Sequence, residues 1–355
     1  MADKNTDPIP KEEIRKDPLS QRWVILAPDR ARRPQDIEKI EEINRFAPAC
    51  PFCEGNEKAT PPEIWARRSA GTPPDSPGWT VRVVPNRYPA LTSSAPKFRT
   101  QSGLFKKIQG AGAHEVIIES PDHNQDLAKA NLSQIRDVLT AYRDRILSLY
   151  QDAALRYVQI FKNHKFPAGA SLQHPHSQLI ATPILPQYTE IKLHSAQSYY
   201  EQHDSCLFCE MLHQENTFQD RVILRHNGYI SYAPFASRFP FEVTIAPLRH
   251  TWDFAEIQET EMKNLAYVLK DVLLRLKQAV ADPPYNYFLS TAPNLRAAAS
   301  LSGQGDSLRS ALHWHLEILP RQTAVAGFEW GSGFYINTRA PEEAARILRE
   351  AQGLR

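Results

Sequence analysis

Long apolar runs and long basic runs are both missing from this sequence, and cysteine is scarce. No stretch approaches the roughly 18 consecutive apolar residues of a membrane span, so we expect no membrane partner. Lysine and arginine occur singly or in short groups, and the formal net charge is +2. A nucleic-acid-binding protein would show a basic stripe. We therefore expect no nucleic acid among the partners of this protein.

A secretory signal is also missing, because residues 1–13 are polar and contain two prolines. Apolar residues make up 42% of the chain and charged residues 23%, as in ordinary globular proteins. We therefore expect a cytoplasmic protein. Its 355 residues are enough for two domains, or for one domain built by duplication.

The four cysteines form two pairs with the same spacing, Cys50-Pro-Phe-Cys53-Glu and Cys206-Leu-Phe-Cys209-Glu. Such pairs in a cytosolic protein are more often metal ligands or redox centres than structural disulfides. A redox pair would place its thiolate at a helix N-terminus after a strand, and neither sequence context predicts this. Zinc suits thiolate and imidazole ligands. The sequence therefore predicts two zinc sites, each completed by two further ligands that we expect to be histidines.

The segments that follow the two cysteine pairs repeat one another. In each, an alternating strand pattern (114–120 and 241–247) precedes an amphipathic helix pattern (132–149 and 262–276). A further strand then leads to a closing strand that begins with two histidines. We predict an α+β fold of two tandem histidine-triad-like half-barrel modules, with antiparallel sheets and flanking helices, that arose by internal duplication. The predicted modules are residues 1–190 and 191–355.

The motif His174-Pro-His176-Ser-Gln178 is the main candidate for chemistry. Side chains two apart on a strand point to the same face, about 6–7 Å apart, so His174 and His176 could serve different roles at one site. Neutral imidazole is a good nucleophile, and a phosphoimidazole is a good leaving group. The small residues 169–171 let backbone N–H groups approach a phosphate, and Ser171 and Gln178 add neutral donors. The motif predicts nucleotidyl transfer through a covalent intermediate on His176.

The second half lacks this chemistry. Its closing strand places His315 opposite His176 and Glu317 opposite Gln178. A carboxylate would repel the charge that develops on a transferred phosphoryl group, and no Gly-Ala-Ser segment precedes these histidines. We therefore predict one active half and one half that kept a structural role.

These motifs, together with Arg22-Trp-Val24 and Gly327-Phe-Glu329, occur in an order and spacing that resemble a known family. The sequence resembles the galactose-1-phosphate uridylyltransferase branch of the histidine-triad superfamily, and most closely the members that include ADP-glucose phosphorylase. The resemblance implies a ping-pong transfer of UMP from UDP-glucose to a hexose 1-phosphate such as galactose 1-phosphate. The alternative is transfer of AMP from ADP-glucose to phosphate, and a non-catalytic zinc protein that binds nucleotides is a third hypothesis. A homodimer is also implied.

The resemblance assigns roles to individual residues, with His176 as the nucleophile. The residues that it places at the nucleotide sugar are Arg30, Arg33, Asn86, Asn163, Ser171, Gln178, Gly327, Phe328 and Glu329. The zinc ligands that it implies are Cys50, Cys53, His114 and His174 in the first site, and Cys206, Cys209, His250 and His313 in the second. The repeat alone aligns His250 with His123, so His123 is the alternative to His114, which the resemblance favours.

Two departures from the family pattern concern the second metal and the acceptor. Many uridylyltransferases use a glutamate as a ligand of the second metal, and Lys192 stands at that position. The alternative to zinc in the second site is another divalent metal. Thr323 and Tyr335 replace a lysine and a glutamine of the sugar-phosphate loop. The stretch 327–333 looks more like that of ADP-glucose phosphorylase, so the identity of the acceptor stays open.

Overall fold

Fifteen strands and seven α-helices build the parts of the chain that the structure, a computed structural model, describes: residues 12–32, 50–94, 99–296 and 304–354. The strands of the first half are β1 (Glu13–Lys16), β2 (Trp23–Leu26), β3 (Trp65–Arg68), β4 (Trp79–Pro85), β5 (Arg99–Ser102), β6 (Phe105–Ile108), β7 (Ala113–Ile118), β8 (Tyr157–His164) and β9 (His176–Thr182). Those of the second half are β10 (Val222–His226), β11 (Tyr229–Tyr232), β12 (Val243–Pro247), β13 (Tyr285–Ser290), β14 (His315–Pro320) and β15 (Tyr335–Asn337). The helices are α1 (Leu132–Leu149), α2 (Gln187–His203), α3 (Leu207–Phe218), α4 (Glu259–Ala279), α5 (Gln304–Ala311), α6 (Gly327–Ser332) and α7 (Pro341–Glu350).

One ten-stranded sheet carries both halves, in the order β10-β11-β12-β14-β13-β8-β9-β7-β4-β3. Read outward from its centre, each half contributes five strands in the same sequence order. The halves meet where β8 pairs antiparallel with β13, with Phe161 opposite Phe288. This symmetry confirms the predicted α+β fold and its origin in a duplication.

The two long helices form at equivalent places and pack against each other. Asn131 caps α1, because its side chain accepts a hydrogen bond from the Gln134 amide, and a capping box formed by Gln258 and Glu261 starts α4. Their apolar faces join one buried core that also includes both central strands. Since this core runs through both halves, the boundary at residues 190 and 191 stays a prediction.

A separate three-stranded sheet has the order β1-β2-β15, with β2 and β15 parallel. Its hydrogen bonds lead to the second half: Arg15 donates to the Phe235 carbonyl at 3.0 Å, and Asn337 donates to the Ser237 carbonyl at 2.9 Å. The first strands of the chain therefore lie on the second half, which the predicted division of the chain did not include.

The closing strands β9 and β14 begin at His176 and His315, so His174 and His313 precede them. The prediction that both histidines of a pair lie on one strand is therefore wrong, and the first histidine of each pair is free to turn toward the cysteines. In the described residues, no helix combines the length and the apolar character needed to cross a membrane.

Candidate active site and metal clusters

The first cysteine pair lies with two histidines. Ligand atoms of Cys50, Cys53, His123 and His174 are all within 4.8 Å of one another. His174 donates from Nε2 to the Ser120 carbonyl at 2.7 Å, which leaves its Nδ1 lone pair for the cluster, 3.5 Å from the Cys53 sulfur. Burial lowers the pKa of His174 to about 4, so the imidazole is neutral at pH 7. Two thiols and two imidazoles form a donor set that fits a metal ion.

The fourth member of this cluster is His123 and not His114, so the favoured expectation is corrected. His114 lies near the start of β7 and pairs across the sheet with Ile180, away from the cysteines. The chain returns to them only after β7 ends, where His123 comes within 3.4 Å of the Cys53 sulfur. The repeat had pointed to His123, and the structure follows the repeat.

The second cluster contains the four residues named from the sequence. Ligand atoms of Cys206, Cys209, His250 and His313 lie within 4.8 Å of one another. The Cys209 sulfur is 3.4 Å from His250 Nδ1 and 3.3 Å from His313 Nδ1. His313 donates from Nε2 to the Pro247 carbonyl at 3.0 Å, as His174 does to Ser120. All four cysteines are free, so both clusters keep their thiols for a metal ion.

His176 is held as a neutral imidazole. Its Nδ1 donates to the His174 carbonyl at 2.8 Å, which places the lone pair on Nε2. The residue is 6% exposed, and the Phe52 ring packs against it with the ring centroids 5.4 Å apart. Burial, and then the nearby charge of Lys162, lower the pKa of His176. An uncharged imidazole with a free Nε2 is the form that can attack phosphorus.

A buried ion pair lies beneath His176 and was not found from the sequence. Lys162 is 2% exposed, and its ammonium is 2.5 Å from the Glu119 carboxylate. The same ammonium donates to the backbone carbonyl of His176 at 3.2 Å. Glu119 and Lys162 each come directly after apolar strand residues. A charged residue at such a position was the sequence signal that could have predicted a buried ion pair.

The loop before β9 is held by hydrogen bonds from side chains of both halves. Gly169 has φ = 93°, a left-handed conformation that favours glycine. Asn163 donates to the Gly169 carbonyl at 3.4 Å, and Asn286 of the second half donates to the Asn163 side chain at 2.8 Å and to the Ala168 carbonyl at 2.7 Å. Ser171 is exposed at the end of this loop. The sequence prediction included Asn163 but missed Asn286.

The remaining predicted contacts that the structure describes lie in two separate groups. Asn86 and Gln178 lie beside His114, 3.1 and 2.9 Å from its Nε2. Arg30 is exposed in the turn after β2, and Phe328 and Glu329 lie on α6, just before β15. Because β2 and β15 belong to the small sheet, Arg30, Phe328 and Glu329 adjoin that sheet on the second half, together with Gly327. In the described residues, no hydrogen bond or ion pair links them to His176. Arg33 lies outside the described residues.

The counterpart of the His176 site in the second half is a cavity of about 410 Å³ that includes His315, Lys192 and Glu317 in its lining. Lys192 donates to His315 Nε2 at 3.2 Å and to Glu317 at 2.5 Å. Arg238 binds the other oxygen of Glu317. The His315 nitrogen that corresponds to Nε2 of His176 is therefore engaged by an ammonium group.

Proteins similar to this chain extend over nearly its whole length. ADP-glucose phosphorylase of Arabidopsis thaliana is 37% identical over 95% of this chain and 92% of the relative. Galactose-1-phosphate uridylyltransferase of Thermotoga maritima is 31% identical over 96% of this chain and 98% of the relative. A crystal structure of the Arabidopsis phosphorylase with bound ADP-glucose superposes with a TM-score of 0.80, at 34% identity over 96% of this chain and 99% of that chain.

The duplicated ten-stranded sheet and the similarity to a uridylyltransferase and a nucleotide-sugar phosphorylase identify the protein as a nucleotidyltransferase. The family models for the N-terminal and C-terminal domains of galactose-1-phosphate uridyl transferase match residues 2–186 and 190–350. The chain belongs to the galactose-1-phosphate uridyl transferase family.

Proposed function

We propose that this enzyme transfers a nucleoside monophosphate from a nucleotide sugar through a covalent intermediate on His176. In the first step Nε2 attacks the α-phosphorus, a P–N bond forms, and the P–O bond to the sugar phosphate breaks. The sugar 1-phosphate leaves with the bonding electron pair. In the second step an acceptor phosphate oxygen attacks the same phosphorus, and the imidazole leaves unprotonated at Nε2.

The observation that carries this proposal is the hydrogen bond from His176 Nδ1 to the His174 carbonyl at 2.8 Å. It leaves the nucleophilic lone pair on Nε2, and burial keeps the ring neutral. The amide of Gln178 on β9 and that of Asn86, directly after β4, lie on either side of β7 and supply neutral donors for the phosphate oxygens. Ser171 and Asn163 border the same loop and are proposed to serve the same phosphate.

The donor that we propose first is UDP-glucose, with galactose 1-phosphate or another hexose 1-phosphate as the acceptor, because the family and the Thermotoga relative have that activity in their names. A second candidate is transfer of AMP from ADP-glucose to phosphate. It is supported by the Arabidopsis relative and its structure with bound ADP-glucose, and by the 327–333 stretch.

The test uses UDP-glucose and ADP-glucose, each labelled on the α-phosphate, without an acceptor. We expect one of them to label the protein with an acid-labile bond, and His176→Ala to abolish the label. Adding galactose 1-phosphate or phosphate should then release the label as nucleotide sugar or as nucleoside diphosphate. Labelling that persists in His176→Ala would contradict the assigned nucleophile, and no label from either donor would contradict the covalent route.

Zinc in both clusters is part of the proposal, because thiol and imidazole donors favour zinc among divalent ions. In the first cluster it would be held by Cys50, Cys53, His123 and His174, and it would fix the segment that presents His176. In the second it would be held by Cys206, Cys209, His250 and His313. Elemental analysis should find two zinc ions per chain, and one per chain would contradict equivalent clusters. A cytoplasmic location stays a prediction.

A homodimer, which the family resemblance implies, is also part of the proposal. Arg30 and Glu329 lie beside the small sheet on the second half, whereas His176 lies on the first. A second copy of the chain could bring such groups to the nucleotide sugar. We expect a dimer by light scattering, and we expect mixtures of His176→Ala and Arg30→Ala chains to recover activity that neither variant has alone. A monomer with full activity would contradict the dimer.

A further inference from the structure

His114, which is not part of the metal cluster, lies in a set of three polar contacts next to the proposed phosphate donors. Its Nδ1 is 3.1 Å from the backbone nitrogen of Ala90. Its Nε2 is 2.9 Å from Gln178 Oε1 and 3.1 Å from Asn86 Nδ2. The contacts with Ala90 and Gln178 together determine which ring nitrogen carries the proton.

The backbone contact fixes the tautomer. A backbone N–H can only donate, so His114 Nδ1 must accept from Ala90, and a neutral ring then carries its single proton on Nε2. That Nε2–H needs an acceptor, which is the side-chain carbonyl of Gln178. The NH₂ group of Gln178 is therefore turned away from His114.

Asn86 is fixed in a similar way on the other side of the ring. Its Oδ1 accepts from the backbone N–H of Tyr88 at 2.8 Å, so its NH₂ group lies on the side of His114. Because His114 Nε2 already carries a proton, this NH₂ keeps its hydrogens for another acceptor. Two amides thus present donors around one imidazole that is anchored to the backbone.

We propose that His114 is a positioning residue that sets the side-chain amide of Gln178, so that its N–H groups face the phosphate being transferred to His176. This rests on the proposed function, in which Gln178 binds that phosphate. A flipped amide would direct its carbonyl at an anionic oxygen, and the interaction would become repulsive. His114 acts through Gln178 and need not touch substrate.

The second half shows the same backbone positions with different side chains. Val116 lies opposite Gln178, and Thr244 lies opposite Glu317, so Val116 and Thr244 occupy equivalent positions. Two residues before them in the chain stand His114 in the first half and Glu242 in the second. Arg238 binds both Glu242 and Glu317. Where no phosphate donor is expected, the imidazole–amide pair is replaced by two carboxylates around a guanidinium group.

The test is a double-mutant cycle of His114→Leu and Gln178→Ala, read as the single-turnover rate at which labelled nucleotide sugar labels the protein. We expect each single variant to slow labelling by about 100-fold, the lower end of the range for loss of one oriented donor. In the Gln178→Ala background, His114→Leu should change the rate by less than about 3-fold, because a residue that acts through another has no further effect without it. Zinc content and melting temperature serve as the controls.

Additive effects in the cycle would overturn the role of His114, and so would loss of zinc in His114→Leu. If the leucine variant does not fold, His114→Gln is the second test: its amide can also donate to Gln178, so labelling should stay within about 3-fold of the unsubstituted protein, and a larger loss would overturn the role of His114. Failure of the unsubstituted protein to be labelled by either donor would overturn the proposed function and the role of His114 with it. A labelled protein with an additive cycle would overturn the role of His114 alone.

Discussion

The two halves of this protein hold equivalent histidines in the same way and surround them differently. His176 and His315 both start a closing strand, and both direct Nδ1 to the carbonyl of the histidine two residues earlier. In the described residues, Nε2 of His176 has no hydrogen-bond partner, whereas Nε2 of His315 accepts from Lys192. The same backbone framework therefore presents two imidazoles whose Nε2 atoms have different surroundings.

The two halves also place their buried charged side chains at different positions. By the strand pairing, Lys162 corresponds to Leu289, because Phe161 lies opposite Gln178 and Phe288 lies opposite Glu317. The first half places its ion pair beneath the closing strand and leaves the space in front of His176 free of it. The second half places its charges in the cavity in front of His315.

The largest expected difference is in the loss of the two histidines. His176→Ala should lower turnover by at least about 1,000-fold, because the group that forms the covalent bond is removed. His315→Ala should leave turnover within a few-fold, since its Nε2 is already engaged. Steady-state kinetics on both purified variants checks this, and a large loss in His315→Ala would show that the second half takes part in the chemistry.

The second difference concerns the two lysines. Lys162→Met should lower the free energy of unfolding by about 3–5 kcal/mol, because it leaves Glu119 buried without its partner. The matched variant Lys192→Met should cost less, since Glu317 keeps Arg238. Urea denaturation measures both, and Lys162→Met with Glu119→Gln should recover part of the loss. Equal losses in the two lysine variants would contradict the contrast between the ion pairs.

A third difference follows from the two clusters. Cys53→Ser should lower the rate of protein labelling by about 10-fold, because a weakened first cluster no longer fixes the segment before His176. Cys209→Ser should lower the melting temperature with little change in that rate. Metal content must fall in both variants for the comparison to hold. An equal loss of labelling rate in the two variants would contradict separate roles for the two clusters.

The smallest difference concerns two glycines with positive φ. Gly169→Ala and Gly228→Ala place a side chain at φ = 93° and 85°, and each should cost about 1–2 kcal/mol of stability. Neither new Cβ would clash with a neighbouring atom. Only Gly169→Ala should also slow protein labelling, by a few-fold, because its loop borders His176. Slower labelling in both variants would point to a general effect of reduced stability.

Much of the fold could be predicted because local patterns dictate it. Helix α1 spans the predicted residues 132–149, since apolar periodicity is a local signal. The small sheet could not be predicted, because β2 pairs with β15 from the other end of the chain. Such pairing leaves no trace in either short strand.

The site was predicted in outline and missed in its details. Closely spaced histidines and cysteines marked the clusters, but the choice between His114 and His123 depended on where the chain turns back after β7. The buried partners Glu119 and Lys162 come from strands that are far apart in sequence, and only the sheet order brings them together. Sequence patterns identify reactive groups more readily than the residues that support them.

The seam at which β8 pairs with β13 has a consequence for the cooperativity of unfolding. Because the halves share one sheet and one apolar core, neither half can lose its structure without exposing the central strands of the other. We expect the protein to melt in a single transition and an isolated first half to be insoluble. The second half thus supplies half of the sheet on which His176 lies, and we expect the first half to need it for folding although His315 takes no part in the proposed chemistry.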